Sequence, residues 1–459
     1  MDMVNGPLLG KICRFAFPLA ISSMLQLLFN AADVIVVGNW GSDTSLAAVS
    51  STGSMVNLIV TLFMGLSVGT NVLVSRYYGS GDREMLERAV HTSIATSLTA
   101  GTLLIFIGWF FARPMLTLMG SPDNVIDQSS LYVQIFFMGM PGNMLYNFGA
   151  AVLRSVGDTK RPLYFLIIAG ILNVLLNMLF VIVFKMDVAG VALATIISQY
   201  LSAILVLICL VKSDGPYRVI LRRLRIHPDM LWALARIGLP AGMQGIIFSI
   251  SNVLIQSSIN SFGSVAMTGS GTSASLEGFV YVAMNAFYQA AISFTGQNMG
   301  AGKYERISRV MALCVMMVTI VGVVMGVGVY LLGRPLLSIY NQDPQVIAYG
   351  LERLAICCAP YFLCGIMDSM VGIMRGTGYS VVPMVVSILG VCGVRILWIF
   401  TFFAWNRSLF MLYISYPISW GATAVIHFIS YLILKKVKLD PMKRARDEKL
   451  AAEAAVQTA

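Results

Sequence analysis

Long apolar runs recur along the whole chain, separated by short polar connections. A helix rising 1.5 Å per residue needs about 20 apolar residues to cross a bilayer's hydrocarbon core. Twelve runs meet that length, near 12–38, 48–75, 90–112, 126–153, 162–184, 188–211, 231–258, 266–297, 308–332, 345–374, 382–404 and 409–434. They predict an all-α membrane protein with twelve transmembrane helices. A transmembrane β-barrel would show short alternating segments instead, and these are absent. The first run is too long for a cleavable signal peptide and lacks a small-residue cleavage site.

The pattern repeats. SRYYGSGDREMLERA at 75–89 matches GQNMGAGKYERISRV at 296–310, pairing Gly79, Gly81, Glu84 and Arg88 with Gly300, Gly302, Glu305 and Arg309 at an offset of 221. LRSVGDTKRP at 153–162 matches MRGTGYSVVP at 374–383 at the same offset, and Arg14 with Pro18 answers Arg236 with Pro240 at 222. The chain therefore reads as two six-helix lobes. The N-lobe is 1–212, a cytoplasmic linker covers 213–229, the C-lobe is 230–440 and a tail covers 441–459. An even number of spans per unit gives lobes of one orientation, related by a parallel pseudo-two-fold axis along the membrane normal, as secondary transporters are built.

Composition agrees with this reading: 58% of residues are hydrophobic and only 11% charged, about half the charged share of a soluble protein. The net charge of +10 raises the question of nucleic acid, and its placement answers it. With both termini inside, 25 of the 31 Lys and Arg fall in inner loops and tails, against four in outer loops. This asymmetry orients a multi-pass inner-membrane protein with N and C termini cytoplasmic. The basic cluster YRVILRRLRIH in the linker then reads as a loop facing anionic lipid, not a nucleic-acid patch.

No enzyme motif is present. GAGKY at 300–304 lacks the P-loop spacing, with Gln297 and Tyr304 at the positions that would need Gly and Ser or Thr. The seven cysteines form no C-x-x-C pair, and the three histidines carry no metal spacing. No cofactor is expected beyond a coupling ion, and ATP hydrolysis is excluded from the reading.

The polar groups inside the apolar runs carry the chemistry. Gln26, Asn30 and Asp33 lie at helical spacing on one face of the first span, after Pro18. A carboxylate at membrane depth costs about 2.5–3.5 kcal/mol on the gentler insertion scales. It persists there only beside a partner or a wet cavity. The N-half spans offer Asp33 no base, so it is expected to take up a proton or bind a cation. Asn173, Asn177 and Thr195 supply amide and hydroxyl oxygens that suit either ion. In the C-half, Glu277 and Asp368 are the acids within spans and Arg395 the deep base, and pairing of Arg395 with one of the two acids is expected. Gln26, Phe29, Asn30, Met64, Tyr146 and Asn147 are expected to line a substrate cavity, made pliable by the 28 methionines.

With these residues in view, the chain resembles the multidrug and toxic compound extrusion (MATE) family over nearly its whole length, from FPLAISSMLQLLFNAADVIVVG through LRSVGDTKRP to GQNMGAGKYERISR. The resemblance implies two lobes arranged in a V and cation-coupled (H⁺ or Na⁺) efflux antiport of amphipathic, often cationic compounds. It places the family's first-helix Asp on Asp33, its span-5 Asn on Asn173 and its span-6 Thr on Thr195. Glu277 matches a span-8 Glu. Many members carry a second Asp where this chain has Asn177; a single carboxylate favours proton coupling. A lipid-linked oligosaccharide flippase of the same wider superfamily is the alternative, and it would need basic residues inside the cavity. The expected partners are small amphipathic substrates and membrane lipid, with the protein a monomer.

Overall fold

A computed structural model gives the structure of the chain over residues 1–40, 43–118 and 123–458. Among these residues there are helices and no strands. The first half comprises α1 (Leu9–Trp40), α2 (Asp43–Ser80), α3 (Arg83–Leu118), α4 (Asp123–Met138), α5 (Met140–Ser155), α6 (Lys160–Asn177) and α7 (Asp187–Val211). The second begins with α8 (Pro228–Asn260), α9 (Ser264–Gly300), α10 (Tyr304–Leu331), α11 (Gly333–Tyr340), α12 (Pro344–Arg353) and α13 (Phe362–Gly376). It ends with α14 (Val381–Ser387), α15 (Val394–Trp398), α16 (Leu409–Leu434) and α17 (Asp440–Thr458).

Helices occupy all twelve expected stretches. Among the described residues nine are long and apolar enough to cross a membrane, and the pair formed by 344–358 and 362–376, bent by 43°, passes the same test when taken together. The two remaining stretches depart for identifiable reasons. The fourth is divided at Gly139 into two helices of 16 residues, with Pro141 opening the second. The eighth, α9, begins SVAMTGSGTSASLEG, where small and polar residues dilute the apolar signal.

Glycine follows helix ends at matching positions of the two halves. Gly81 (φ 74°) and Gly302 (φ 68°) are repeat mates, as are Gly157 (φ 88°) and Gly378 (φ 95°). A left-handed φ costs a side-chain-bearing residue about 1–2 kcal/mol, which glycine avoids. Glycine also permits one tight crossing. A Cβ on Gly65 of α2 would lie 2.3 Å from the Gly242 nitrogen, and one on Gly69 would lie 2.4 Å from the Leu234 carbonyl. Gly65-x₃-Gly69 thus faces Gly238-x₃-Gly242, the small-residue spacing that lets helices touch backbone to backbone in lipid.

The chain forms two compact units: Met1–Ala20 with Tyr78–Gly81 and Met243–Ala459, and Ile21–Tyr77 with Asp82–Gly242. The repeat places a lobe boundary at 212–230, whereas the contact boundary falls inside α8 at Gly242, and the chain's opening residues join the unit built from the second half. Side-chain bonds account for that. Met3 is fully buried, Asn298 donates to its carbonyl at 3.2 Å, Lys303 donates to Asn5 Oδ1 at 2.5 Å, and Arg306 donates to the Gly6 carbonyl at 2.9 Å. In the other unit the central loop is seated on the start of α3. The Ile220 amide donates to His91 Nε2 at 3.0 Å, the His227 amide to Thr92 Oγ1 at 3.1 Å, and Arg88 pairs with Asp229 at 2.9 Å.

Candidate functional site

Four helices of the second unit line an open cleft of about 110 Å³. Its wall is polar on α1 because Gln26, Asn30 and Asp33 recur three and four residues apart, with Phe29 beside them. Asn173 lines it from α6, Thr195 from α7, and Tyr146 and Asn147 from α5. Nine of the residues singled out by sequence thus meet: eight form the cleft wall, and Asn177, fully buried, stands directly behind Asp33.

Asp33 is half-buried and faces no basic side chain among the described residues. Asn177 Nδ2 donates to its Oδ1 and makes a second, longer contact of 3.3 Å with Asn173 Oδ1. A hydrogen bond to an ionised carboxylate contributes about 1.5–3 kcal/mol, which offsets only part of the cost of holding the charge away from water. Asn177 Oδ1 is buried without a partner. One acid with one bonding amide is therefore an incompletely compensated site, suited to a proton or a small cation.

The other wall groups are partly committed. Thr195 Oγ1 donates to the Val191 carbonyl at 2.9 Å, leaving its lone pairs toward the cleft. Tyr146 donates to the Pro162 carbonyl at 3.1 Å, and Asn147 to the Asn143 carbonyl at 2.8 Å. Gly170 makes room for Phe29, since a Cβ there would sit 1.9 Å from the ring. Met64 does not belong to this wall. It lies on α2, where its carbonyl accepts from Ser67 at 2.7 Å. Sequence reasoning missed Asn143, Ser198, Gln199 and Ser202. Their signal was a polar stripe at helical spacing, 195–198–199–202 on α7 and 143–146–147 on α5.

Neither acid of the second half pairs with Arg395. Glu277 is gripped by Arg353 through two bonds of 2.9 Å, and Arg353 also donates to Ser270 at 2.8 Å. Asp368 bonds the Tyr281 hydroxyl. Arg395 instead donates to Ser419 Oγ at 3.0 Å and to Asn252 Oδ1 at 3.3 Å. The expected pairing fails because Arg353, buried at the end of α12, takes both carboxylate oxygens of Glu277. Pro18 lies inside an unbroken α1. The seven cysteines are all free, and no cluster of three or more potential metal ligands occurs among the described residues.

The MatE family model matches residues 18–179 and 240–401, two equal blocks offset by 222. "Probable multidrug resistance protein YoeA" of Bacillus subtilis is 28% identical over 92% of this chain and 93% of its own. "FAD transporter" of Shewanella oneidensis is 24% identical over 78% and 80%, and "Multidrug export protein MepA" of Staphylococcus aureus 21% identical over 82% and 83%. Among solved structures, a MATE crystal structure in the straight conformation superposes with TM-score 0.89 at 20% identity, covering 96% of this chain and 98% of that one.

Proposed function

Because the chain belongs to the MatE family, we propose that it is a cation-coupled efflux antiporter that exports amphipathic, often cationic compounds. The observation that carries the reading is the unpaired Asp33 carboxylate on an open, polar cleft. Relatives named for multidrug resistance and export support the cargo class.

In the proposed cycle, Asp33 is ionised while the protein takes cargo from the cytoplasmic side, with both chain termini on that side of the inner membrane. H⁺ or Na⁺ entering from outside neutralises Asp33 and weakens the charge-assisted bond from Asn177. It also favours a second arrangement of α1, which bends near Pro18, and cargo leaves. The ion drives the change only through its unequal affinity for the two states. Having one carboxylate rather than two favours the proton, since Na⁺ prefers several anionic or carbonyl oxygens. The absence of Lys and Arg from the cleft wall argues against the flippase reading, which needs positive charge for a pyrophosphate.

Ion flux measured in proteoliposomes tests this, with H⁺ and Na⁺ gradients imposed separately and a cationic dye as cargo. Dye-stimulated ion movement under at least one gradient is expected. Dye movement indifferent to both gradients overturns the proposal.

A further inference from the structure

Arg395 is a buried arginine with no counter-charge. It is 4% exposed, lies within the stretch 381–403 that is long and apolar enough to span a membrane, and makes no ion pair with any described residue. Its Nε and Nη1 are engaged by the neutral oxygens of Ser419 and Asn252, and its Nη2 meets no acceptor. The Tyr416 ring lies 4.2 Å and the Trp420 ring 5.6 Å from its guanidinium carbon. Such ring contacts attract a cation but supply no counter-charge to an arginine at membrane depth.

The repeat says what kind of place this is. At the 222-residue offset of the two family blocks, Arg395 is the mate of Asn173 and Asn252 the mate of Asn30. Both N-half residues line the cleft around Asp33. The mate of Asp33 is Ile255, an apolar residue that is 1% exposed. The first half therefore carries a negative charge at this station of the fold and the second half a positive one. The local helix geometry repeats as well: π turns occupy 178–183 just after Asn177 and 399–403 just after Arg395, with another at 388–393 before it. Such turns are frequent at functional sites. Asn252, whose Oδ1 the guanidinium touches, is itself exposed.

We propose that Arg395, with Asn252 and Ser419, forms a binding site for a small oxyanion, a carboxylate or phosphate group, within the second-half unit. The free Nη2 and the Nη1 beside Asn252 present the forked donor pair that such groups accept.

The test is thermal unfolding of the purified full chain in detergent, titrated with acetate and with inorganic phosphate. Ionic strength is held constant with the bulky buffer anion MES. The wild type is expected to gain about 2 °C in Tm, saturably, with at least one of the two anions. R395Q should lose that response, and D33N should keep it. N252D, which sets a carboxylate beside the guanidinium, should fold, melt higher than wild type without added anion, and no longer respond. This variant tests the proposal even if R395Q does not fold. A wild type that responds to neither anion, or an N252D that responds as fully as wild type, overturns it.

Discussion

Arg353 holds Glu277 through two parallel hydrogen bonds, Nε to Oε1 and Nη2 to Oε2, both 2.9 Å long. Each side chain is 7% exposed. Removing one partner of a buried pair leaves the other charge uncompensated, which costs about 3–5 kcal/mol. Glu277→Gln is therefore expected to lower stability by about that amount, and Glu277→Gln combined with Arg353→Met to recover most of it. Unfolding of the purified variants in detergent checks both. Because the pair is closed and satisfied, the double variant is expected to retain ion-coupled export; loss of coupling at full stability would return Glu277 to the list of coupling groups.

Asp33→Asn removes the one carboxylate of the cleft wall among the described residues while keeping its shape. Its amide can still bond Asn177, so stability is expected to change by no more than about 1 kcal/mol, the net worth of a neutral hydrogen bond. Dye-driven ion movement in proteoliposomes should fall to the level of empty vesicles. Wild-type flux from this variant would remove Asp33 from the mechanism.

Asn177→Asp puts a second carboxylate against the first. Two acids at hydrogen-bond distance cannot both stay ionised without a cation between them. A gain of about tenfold in apparent Na⁺ affinity is expected, equal to 1.4 kcal/mol. Export driven by an imposed Na⁺ gradient, compared between variant and wild type, is the measurement.

Gly170→Ala brings a methyl group into the space held by the Phe29 ring. Overpacking of this kind costs about 1–3 kcal/mol. Because Phe29 is part of the cleft wall, the ring is expected to move into the cleft and weaken transport of large cargo more than of small. Concentrations for half-maximal export across a size series of dyes report this directly.

Much of this was legible in the sequence because the information was periodic. The twelve helical stretches follow from run length, and the α1 wall of the cleft follows from Gln26, Asn30 and Asp33 recurring on one helix face. The grip of Arg353 on Glu277 was not legible. It links positions 76 residues apart, and which of two nearby arginines reaches an acid depends on how α9 and α12 pack. The π turns beside Asn177 and Arg395 were equally hidden, since they arise from hydrogen-bond register and leave no trace in composition. Met64 failed as a cleft residue because residue type alone, without a face, does not place a side chain.

The seating of Met3, Asn5 and Gly6 against Asn298, Lys303 and Arg306 sets an order of manufacture. These partners are separated by about 300 residues of chain. At 5–20 residues per second the ribosome needs roughly 15–60 s to cover that distance. Throughout that interval residues 3–6 lack the partners they dock on, so a segment made long before α9 and α10 finds its berth only after them.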